Sequence, residues 1–411
     1  MSVFLAPPHH GSRPTHRPLD HTTYSYVPST PILLEHNPIA DILERCADEQ
    51  KHFTDRRFST EIADVATTCG EKYVKSVKLY RRASELYPGA ELFDDDICAD
   101  DALQGAIGDC WLVSFIAELA NTHPEIVRSI FGDESDDNVA ANEAGIYTVR
   151  LWDQNVNDWF WIVVDDLLPL YANGSLLFAK TRSKTPEHHE IWPMILEKAF
   201  AKLAGQYQHL EYSGSSIFLP GYFDMKTSTS SVMKLVTGSQ DVSNYSFTTT
   251  NVSAEEQATI FGNIRTALRN GAILTAGTDK KYCELHDDLG VGHSRVGIVG
   301  GHAYSIMGAI TVSGEPLLRC RNPWGGTEWG GDWCDNDEEH WTEQAIEECN
   351  ADSLNGGEYA NTNDGTFFIS VSNFCDHFRH VTTCIVPDDL DGLPQRIRDE
   401  AKKILAIRAL C

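Results

Sequence analysis

The sequence predicts an α+β fold of two lobes, a helical lobe first and a β-rich lobe second. Three observations lead there. The chain has 411 residues and 42% hydrophobic content, enough for two or three domains with sizeable cores. Its first half places apolar residues at helical spacing: Leu112, Phe115, Ile116 and Leu119 line one face of a buried helix. Its second half is dominated by β-branched and aromatic runs, "GAILTAGT", "SRVGIVGGHAYSIMGAI", "PLLRCRNPW" and "GTFFISVSNF". Helices and strands kept in separate halves argue for α+β lobes rather than a doubly wound sheet.

Taken in order, residues 1–84 read as an N-terminal extension. Its start is rich in Pro, His, Thr and Ser and reads as a flexible tail. "IADILERCADEQKHFTDRRF" then spaces Ile39, Ile42, Leu43 and Cys46 as a helix would, and "EKYVKSVKLYRRASELY" (Glu71 to Tyr87) predicts a second, basic helix. Residues 85–225 make the first lobe. An acidic loop, "ELFDDDICADDALQGAIGDC", leads into the buried helix, which Pro124 stops. "IYTVRLWD" and "WFWIVVDDLLPLY" are strands, and "WPMILEKAFAKLAGQY" (Trp192 to Tyr207) is a long helix. Residues 226–388 make the second lobe, beginning in a Ser/Thr-rich stretch without a clear period. Residues 389–411 end the chain in an amphipathic helix.

The formal net charge is −27, from 33 basic and 60 acidic residues. Such a field repels phosphate, which disfavours nucleic acid and anionic membrane as partners. It suits divalent cations, which need carboxylate oxygens. Eleven cysteines, an odd number in no tight framework, indicate free thiols in a reducing, cytoplasmic setting. The opening "MSVFLAPPHHGSRP" has too short an apolar run for a secretory leader, and no stretch is apolar enough to span a bilayer.

Cys110, in "QGAIGDCWLVSFIAELA", follows a Gly-Asp turn at the start of the predicted helix. Only the thiolate is nucleophilic, and a helix N-terminus or a neighbouring imidazolium lowers a thiol's pKa. Of sixteen histidines, His293 and His302 stand in ordered β context, and His302 opens an apolar strand behind two glycines. A third group must orient the imidazole, and Asn322 in "RNPWGGTEW" is placed to do so, with Pro323 and Trp324 to fix and shield it. Each signal is weak alone, because free cysteines are usually buried structural residues and "NPWG" also suits a turn. Together, in the order Cys, His, Asn, they gain weight.

"QGAIGDCWL", "GGHAYSIMGA" and "RNPWGGTEWGGDW" resemble the active-site signatures of the calpain family of calcium-dependent cysteine proteases. "WFWIVVDDLLPLY" and "ILEKAFAKLAGQY" resemble family segments between the first two, and the resemblance covers about residues 85–385. It implies a papain-like two-lobed protease core, with the cysteine on the helical lobe and the histidine and asparagine on the β-rich one. It further implies Cys110 as nucleophile, His302 as its acid–base partner and Asn322 as the orienting group. Gln104 would complete an oxyanion hole with the Cys110 N–H, and Trp324 would shield the His–Asn hydrogen bond. The substrates would be proteins or peptides, cut at limited sites inside the cell.

The resemblance also implies regulatory Ca²⁺ in each lobe. In the first, Asp101 and Glu197 match the family's acids, with backbone carbonyls near Asp94 and Asp96 completing an all-oxygen site. In the second, Glu328, Asp335 and Asp364 match, but Thr366 stands where the family usually has Glu, so this site is expected to be weaker. "DNDEEH" lacks the Gly and Glu of an EF-hand loop and reads as a solvated acidic run. Only residues 386–411 follow Ile385, which implies a core without the accessory β-sandwich or EF-hand domain of larger calpains.

Two other functions compete. A calpain-like pseudoprotease acting as a scaffold would usually lack a triad member, and all three residues are present. A thiol acyltransferase such as a transglutaminase also starts a helix at Cys-Trp, but uses Asp in the third role, where this chain has Asn322. A zinc site on cysteines fails because no CxxC pair exists.

Overall fold

A computed structural model describes residues 46, 51–93, 97–131, 144–154, 158–182, 189–211, 216–219, 223–226, 228–247, 252–279 and 296–386. The helix expected to start at Ile39, the C-terminal helix, and the candidates Asp94, Asp96 and His293 fall outside these residues, apart from Cys46 and the end of the first helical stretch.

The first core gathers around α1 (Val65–Thr68), β1 (Leu79–Arg82), α2 (Ala83–Leu86), α3 (Cys110–Thr122), α4 (Pro124–Ile130), β2 (Ile146–Asp153), β3 (Asp158–Asp165), β4 (Leu167–Leu170) and α5 (Trp192–Leu203). A hairpin of β5 (Ser216–Leu219) and β6 (Phe223–Lys226) follows, then α6 (Thr229–Thr237). The second part holds β7 (Val242–Ser246), α7 (Ala254–Arg269), β8 (Ile273–Gly277), β9 (Ala303–Val312), β10 (Glu315–Arg321), α8 (Glu343–Ala351), β11 (Thr366–Ser370), α9 (Val371–His377) and β12 (His380–Cys384).

The helix that begins at Cys110 is buried almost all round, from Cys110 through Ala120 and at Thr122. Such a helix sits inside a protein rather than on its surface. It ends where Pro124, at the first position of α4, starts a new helix. Its outer turns join Leu112, Phe115, Ile116 and Leu119 to Trp192, Leu196 and Phe200 of α5 in one core. Its other side lies against β8 and β9, where Ser305 Oγ donates to Ser114 O at 2.8 Å.

The basic helix expected over Glu71–Tyr87 does not form. Glu71–Tyr73 is a single 3₁₀ turn, and Leu79–Arg82 is a strand paired antiparallel with Leu167–Leu170. Lys78 N–H to Leu170 O (2.9 Å) and Ala83 N–H to Asp166 O (3.0 Å) extend the ladder beyond the strand ends. Partner strand and core decide such a segment more strongly than its own helical period. Phe58, Val65, Cys69, Tyr73, Val77 and Ala83 are buried in the same core as α3. The segment before β1 is tied down further by Asp55, whose N–H donates to Asp165 Oδ2 (2.7 Å) and whose carboxylate pairs with Lys202 (2.6 Å).

Among the described residues, a six-stranded antiparallel sheet has the order β11-β10-β9-β8-β12-β7. The run "GTFFISVSNF", read as strand throughout, is strand only to Ser370. The Ser370 side chain then accepts from Asn373 N–H and caps α9. One face of the sheet packs Tyr304, Ile306, Leu318 and Phe367 against α7 and α9. The other packs Ile310, Val312, Leu317 and Phe368 against Trp333, Trp341 and α8. No helix among the described residues is long and apolar enough to cross a membrane.

Candidate active site

Three elements bring the candidate residues to one end of the sheet. α3 starts at Cys110, β9 starts one residue after His302, and β10 ends one residue before Asn322. Since β9 and β10 run antiparallel, the start of one meets the end of the other, with Arg321 opposite Ser305. The register shifts between Arg319 and Cys320. Such an irregularity re-aims the residues beyond it.

His302 Nε2 and Asn322 Oδ1 are 2.9 Å apart, and both residues are buried. The orientation of the Asn322 amide follows from its other partners. Its Oδ1 also accepts from Trp324 N–H (3.1 Å), and its Nδ2 donates to Thr327 O (2.9 Å). The oxygen must therefore face His302, so His302 donates from Nε2 and a neutral ring carries its lone pair on Nδ1. Thr327, which supplies the carbonyl, has a positive φ of 60°, a rare conformation for a β-branched residue.

His302 is held at its backbone as well. Its N–H donates to Thr278 Oγ1 at 3.0 Å, and its carbonyl accepts from Thr278 N–H at 3.0 Å. Thr278 Oγ1 in turn donates to Val299 O at 2.7 Å. Tyr304 meets the imidazole edge-on, with centroids 5.0 Å apart, and Trp324 lies 4.7 Å away at a 49° tilt. Trp324 is 38% exposed, so one part of the indole faces the histidine while another meets solvent.

Cys110 is buried at the first position of α3, with its sulfur at the backbone N–H of Ala303, the residue after His302. Burial pushes the thiol up to about 12. The Ala303 N–H opposes this, while the neighbouring Asp109 charge adds to it. A thiolate here thus needs an imidazolium beside it, and the helix start alone does not produce one.

Gln104 Nε2 donates to Ile107 O at 2.7 Å, which folds the "QGAIG" turn back toward the helix. The backbone N–H of Gln104 donates to Pro323 O at 2.8 Å, so the Gln104 and Asn322 segments touch directly. On another side the turn packs on the Phe178 backbone, and glycine at 105 allows it: a Cβ there would lie 2.1 Å from Phe178 O.

The first-lobe metal candidates are engaged with the protein's own N–H groups. Asp101 accepts from Cys98 N–H at Oδ2 (2.7 Å), within its own turn. Glu197 is buried and accepts from Ala179 N–H at both oxygens (3.1 and 3.0 Å). Burial pushes Glu197 and the adjacent Asp109 above the usual carboxylate range. The Asp109 charge adds to the rise at Glu197, and the two carboxyls lie within hydrogen-bonding reach of each other. Sequence reading missed this buried pair. The signal was Asp109 itself, an acid wedged between Gly108 and Cys110.

In the second part, Glu328, Asp335 and Asp364 lie near one another. Burial, then Glu328 and Asp364, push Asp335 up to about 7. Burial likewise raises Glu328, with Asp364 adding to it. Glu328 accepts from Gly365 N–H (2.5 Å) and Asp364 from Thr366 N–H (2.8 Å), while Asp335 Oδ2 is buried without a hydrogen-bond partner. An all-oxygen, mutually repelling set with an orphaned acceptor has the donor chemistry of a Ca²⁺ site. Even so, among the described residues no group of three or more His, Cys, Asp or Glu side chains is arranged to hold a metal ion.

The family profile described as "Calpain family cysteine protease" matches residues 53–385. Calpain-5 of Caenorhabditis elegans is 30% identical over 329 residues, covering 74% of this chain and 46% of that protein. Calpain-8 of Rattus norvegicus is 31% identical over 319 residues, covering 76% and 39%. The calpain-1 catalytic subunit of Sus scrofa is 30% identical over 325 residues, covering 78% and 39%. The chain thus matches less than half the length of each of these relatives.

Proposed function

Because the chain belongs to the calpain family of cysteine proteases, we propose that it is a calcium-regulated cysteine endopeptidase working through Cys110, His302 and Asn322. The observation that carries this is the buried 2.9 Å contact of His302 Nε2 with Asn322 Oδ1, at the end of the sheet where Cys110 meets Ala303.

In this reading His302 Nδ1 takes the Cys110 proton, giving a thiolate–imidazolium pair. The thiolate attacks the substrate carbonyl carbon, and the carbonyl electrons move onto oxygen. The Cys110 N–H and the Gln104 amide stabilise that oxyanion, a contribution of about 3 kcal/mol to the barrier for one such donor. Collapse expels the amine, which takes its proton from His302, and leaves a thioester on Cys110. His302 then deprotonates water for hydrolysis. Asn322 keeps the ring in place throughout, and Trp324 limits water at the His–Asn contact.

Glu328, Asp335 and Asp364 would hold a Ca²⁺ in the second lobe, with Asp101, Glu197 and the segment of Asp94 and Asp96 serving the first. An ion held there would supply positive charge to offset the repulsion among Glu328, Asp335 and Asp364. Thr366 in place of an acid supports a weaker second site. Proteins cut at limited sites in the cytoplasm are the substrates this reading favours.

The test is labelling by a peptidyl epoxide or fluoromethylketone, with and without calcium, beside Cys110→Ser. Calcium-stimulated labelling of the native protein, absent in Cys110→Ser, is expected. No labelling of folded native protein at any calcium level would defeat the protease reading, and labelling indifferent to calcium would defeat the switch.

A further inference from the structure

Two arginines cross between the Cys110 side and the Asn322 side, and the chemistry above uses neither. Arg321 ends β10 just before Asn322 and is fully buried. Its Nε donates to Asp100 Oδ1 at 3.3 Å and its Nη1 to Ala102 O at 3.2 Å. Arg182 crosses the other way. It follows Lys180, which is joined to Leu103 by reciprocal backbone hydrogen bonds of 3.0 and 2.9 Å. From there Arg182 Nη2 donates to Gly325 O at 2.8 Å and Asp364 O at 3.3 Å.

Between these crossings runs the Gln104 N–H to Pro323 O hydrogen bond. One seam therefore has residues 100–104 and 180–182 on one side and 321–325 and 364 on the other. A guanidinium from each side reaches into the other. Gly325, at φ 67°, lets them close: a Cβ there would lie 2.4 Å from Leu103 Cδ2 and 3.0 Å from Arg182 Nη2. A guanidinium is always charged and presents donors in a rigid planar fork, so each arginine fixes direction as well as distance. The residues it fixes are the neighbours of Gln104 and Asn322, which stand in different parts of the proposed mechanism.

We propose that Arg182 and Arg321 are positioning residues, a reciprocal clamp that keeps Asn322, and through it His302, in register with Gln104 and Cys110. The proposal rests on the Cys110–His302–Asn322 reading, and its test separates the two.

Arg182→Met removes the donors while keeping an apolar stem, and Arg182→Lys keeps the charge without the fork. Arg182 is only half-buried, so these variants disturb folding less than changes at Arg321. All measurements use the full chain in calcium-containing buffer, with cooperative thermal unfolding as the check on folding. Two readouts apply: exchange of the Gln104 amide hydrogen, and the pH profile of Cys110 alkylation by iodoacetamide, followed by peptide mass. In Arg182→Met, Gln104 exchange should rise and low-pH alkylation fall by about tenfold or more, as expected for losing a charge-assisted hydrogen bond. Arg182→Lys should recover part of both. Unchanged Gln104 exchange in folded Arg182→Met overturns the clamp. If Arg182→Met does not fold, unchanged exchange in Arg182→Lys overturns it instead. Native protein without low-pH alkylation defeats the Cys–His reading, and Gln104 exchange still decides the clamp.

Discussion

Asn322 offers His302 an oxygen and not a nitrogen, because Thr327 O and Trp324 N–H already fix which way its amide faces. Orientation of the imidazole is thus built into the loop that carries Asn322.

Asn322→Ala should lower kcat about 100-fold, the scale of a small misplacement of a catalytic group, with KM little changed. The same variant leaves Thr327 O and Trp324 N–H without a partner, which should cost about 1–3 kcal/mol of stability. Steady-state kinetics and thermal unfolding check the two effects separately. A large rise in KM with kcat intact would show that Asn322 serves binding instead.

The Cys110 thiol, pushed up to about 12 by burial, should react in the native protein well below that pH. Deprotonation increases with pH, so alkylation by a thiolate held by His302 gives a shoulder in the acid-to-neutral range. In His302→Ala the shoulder should vanish, leaving reactivity that climbs only toward alkaline pH. Equal low-pH rates in the two proteins would remove His302 from the mechanism.

Gly105 and Gly108 sit in the same turn and should respond oppositely to alanine. A Cβ on Gly105 would overlap the Phe178 backbone, whereas one on Gly108 meets nothing within 4 Å. Gly105→Ala should cost about 1–3 kcal/mol and displace Gln104, lowering kcat. Gly108→Ala should change neither Tm nor kcat appreciably. A Gly105→Ala variant as stable and active as Gly108→Ala would mean that the close approach of Gly105 to Phe178 is unimportant.

Calcium should raise the Tm of the native chain, by an amount corresponding to about 2.7 kcal/mol when it is present at one hundred times Kd. In Asp335→Asn this response should shrink, because a buried carboxylate is lost. In chelator, Asp335→Asn should be more stable than the native chain, since Glu328 and Asp364 no longer repel a third charge. Calorimetric titration and melting with and without chelator check both. An Asp335→Asn variant with undiminished calcium response would place the ion elsewhere.

Much of the architecture was legible as pattern. The apolar steps from Leu112 to Leu119 give a buried helix, Pro124 ends it, and each of the four β-rich runs of the second half contributes a strand to one sheet. Glu71–Tyr87 was misread because a strand's pairing with Leu167–Leu170 lies some ninety residues away, beyond any local period.

The sequence by itself determined the residue types in each motif, and with them the family and the chemistry that Cys110, His302 and Asn322 can perform. Only the tertiary structure decided that His302 faces the oxygen of Asn322, that Asp109 lies against Glu197, and that Arg182 and Arg321 cross a shared seam. The physical reason is that motif chemistry resides in single side chains and short turns. Orientation, burial and charge state come from partners distant in sequence, which are set only when the chain closes.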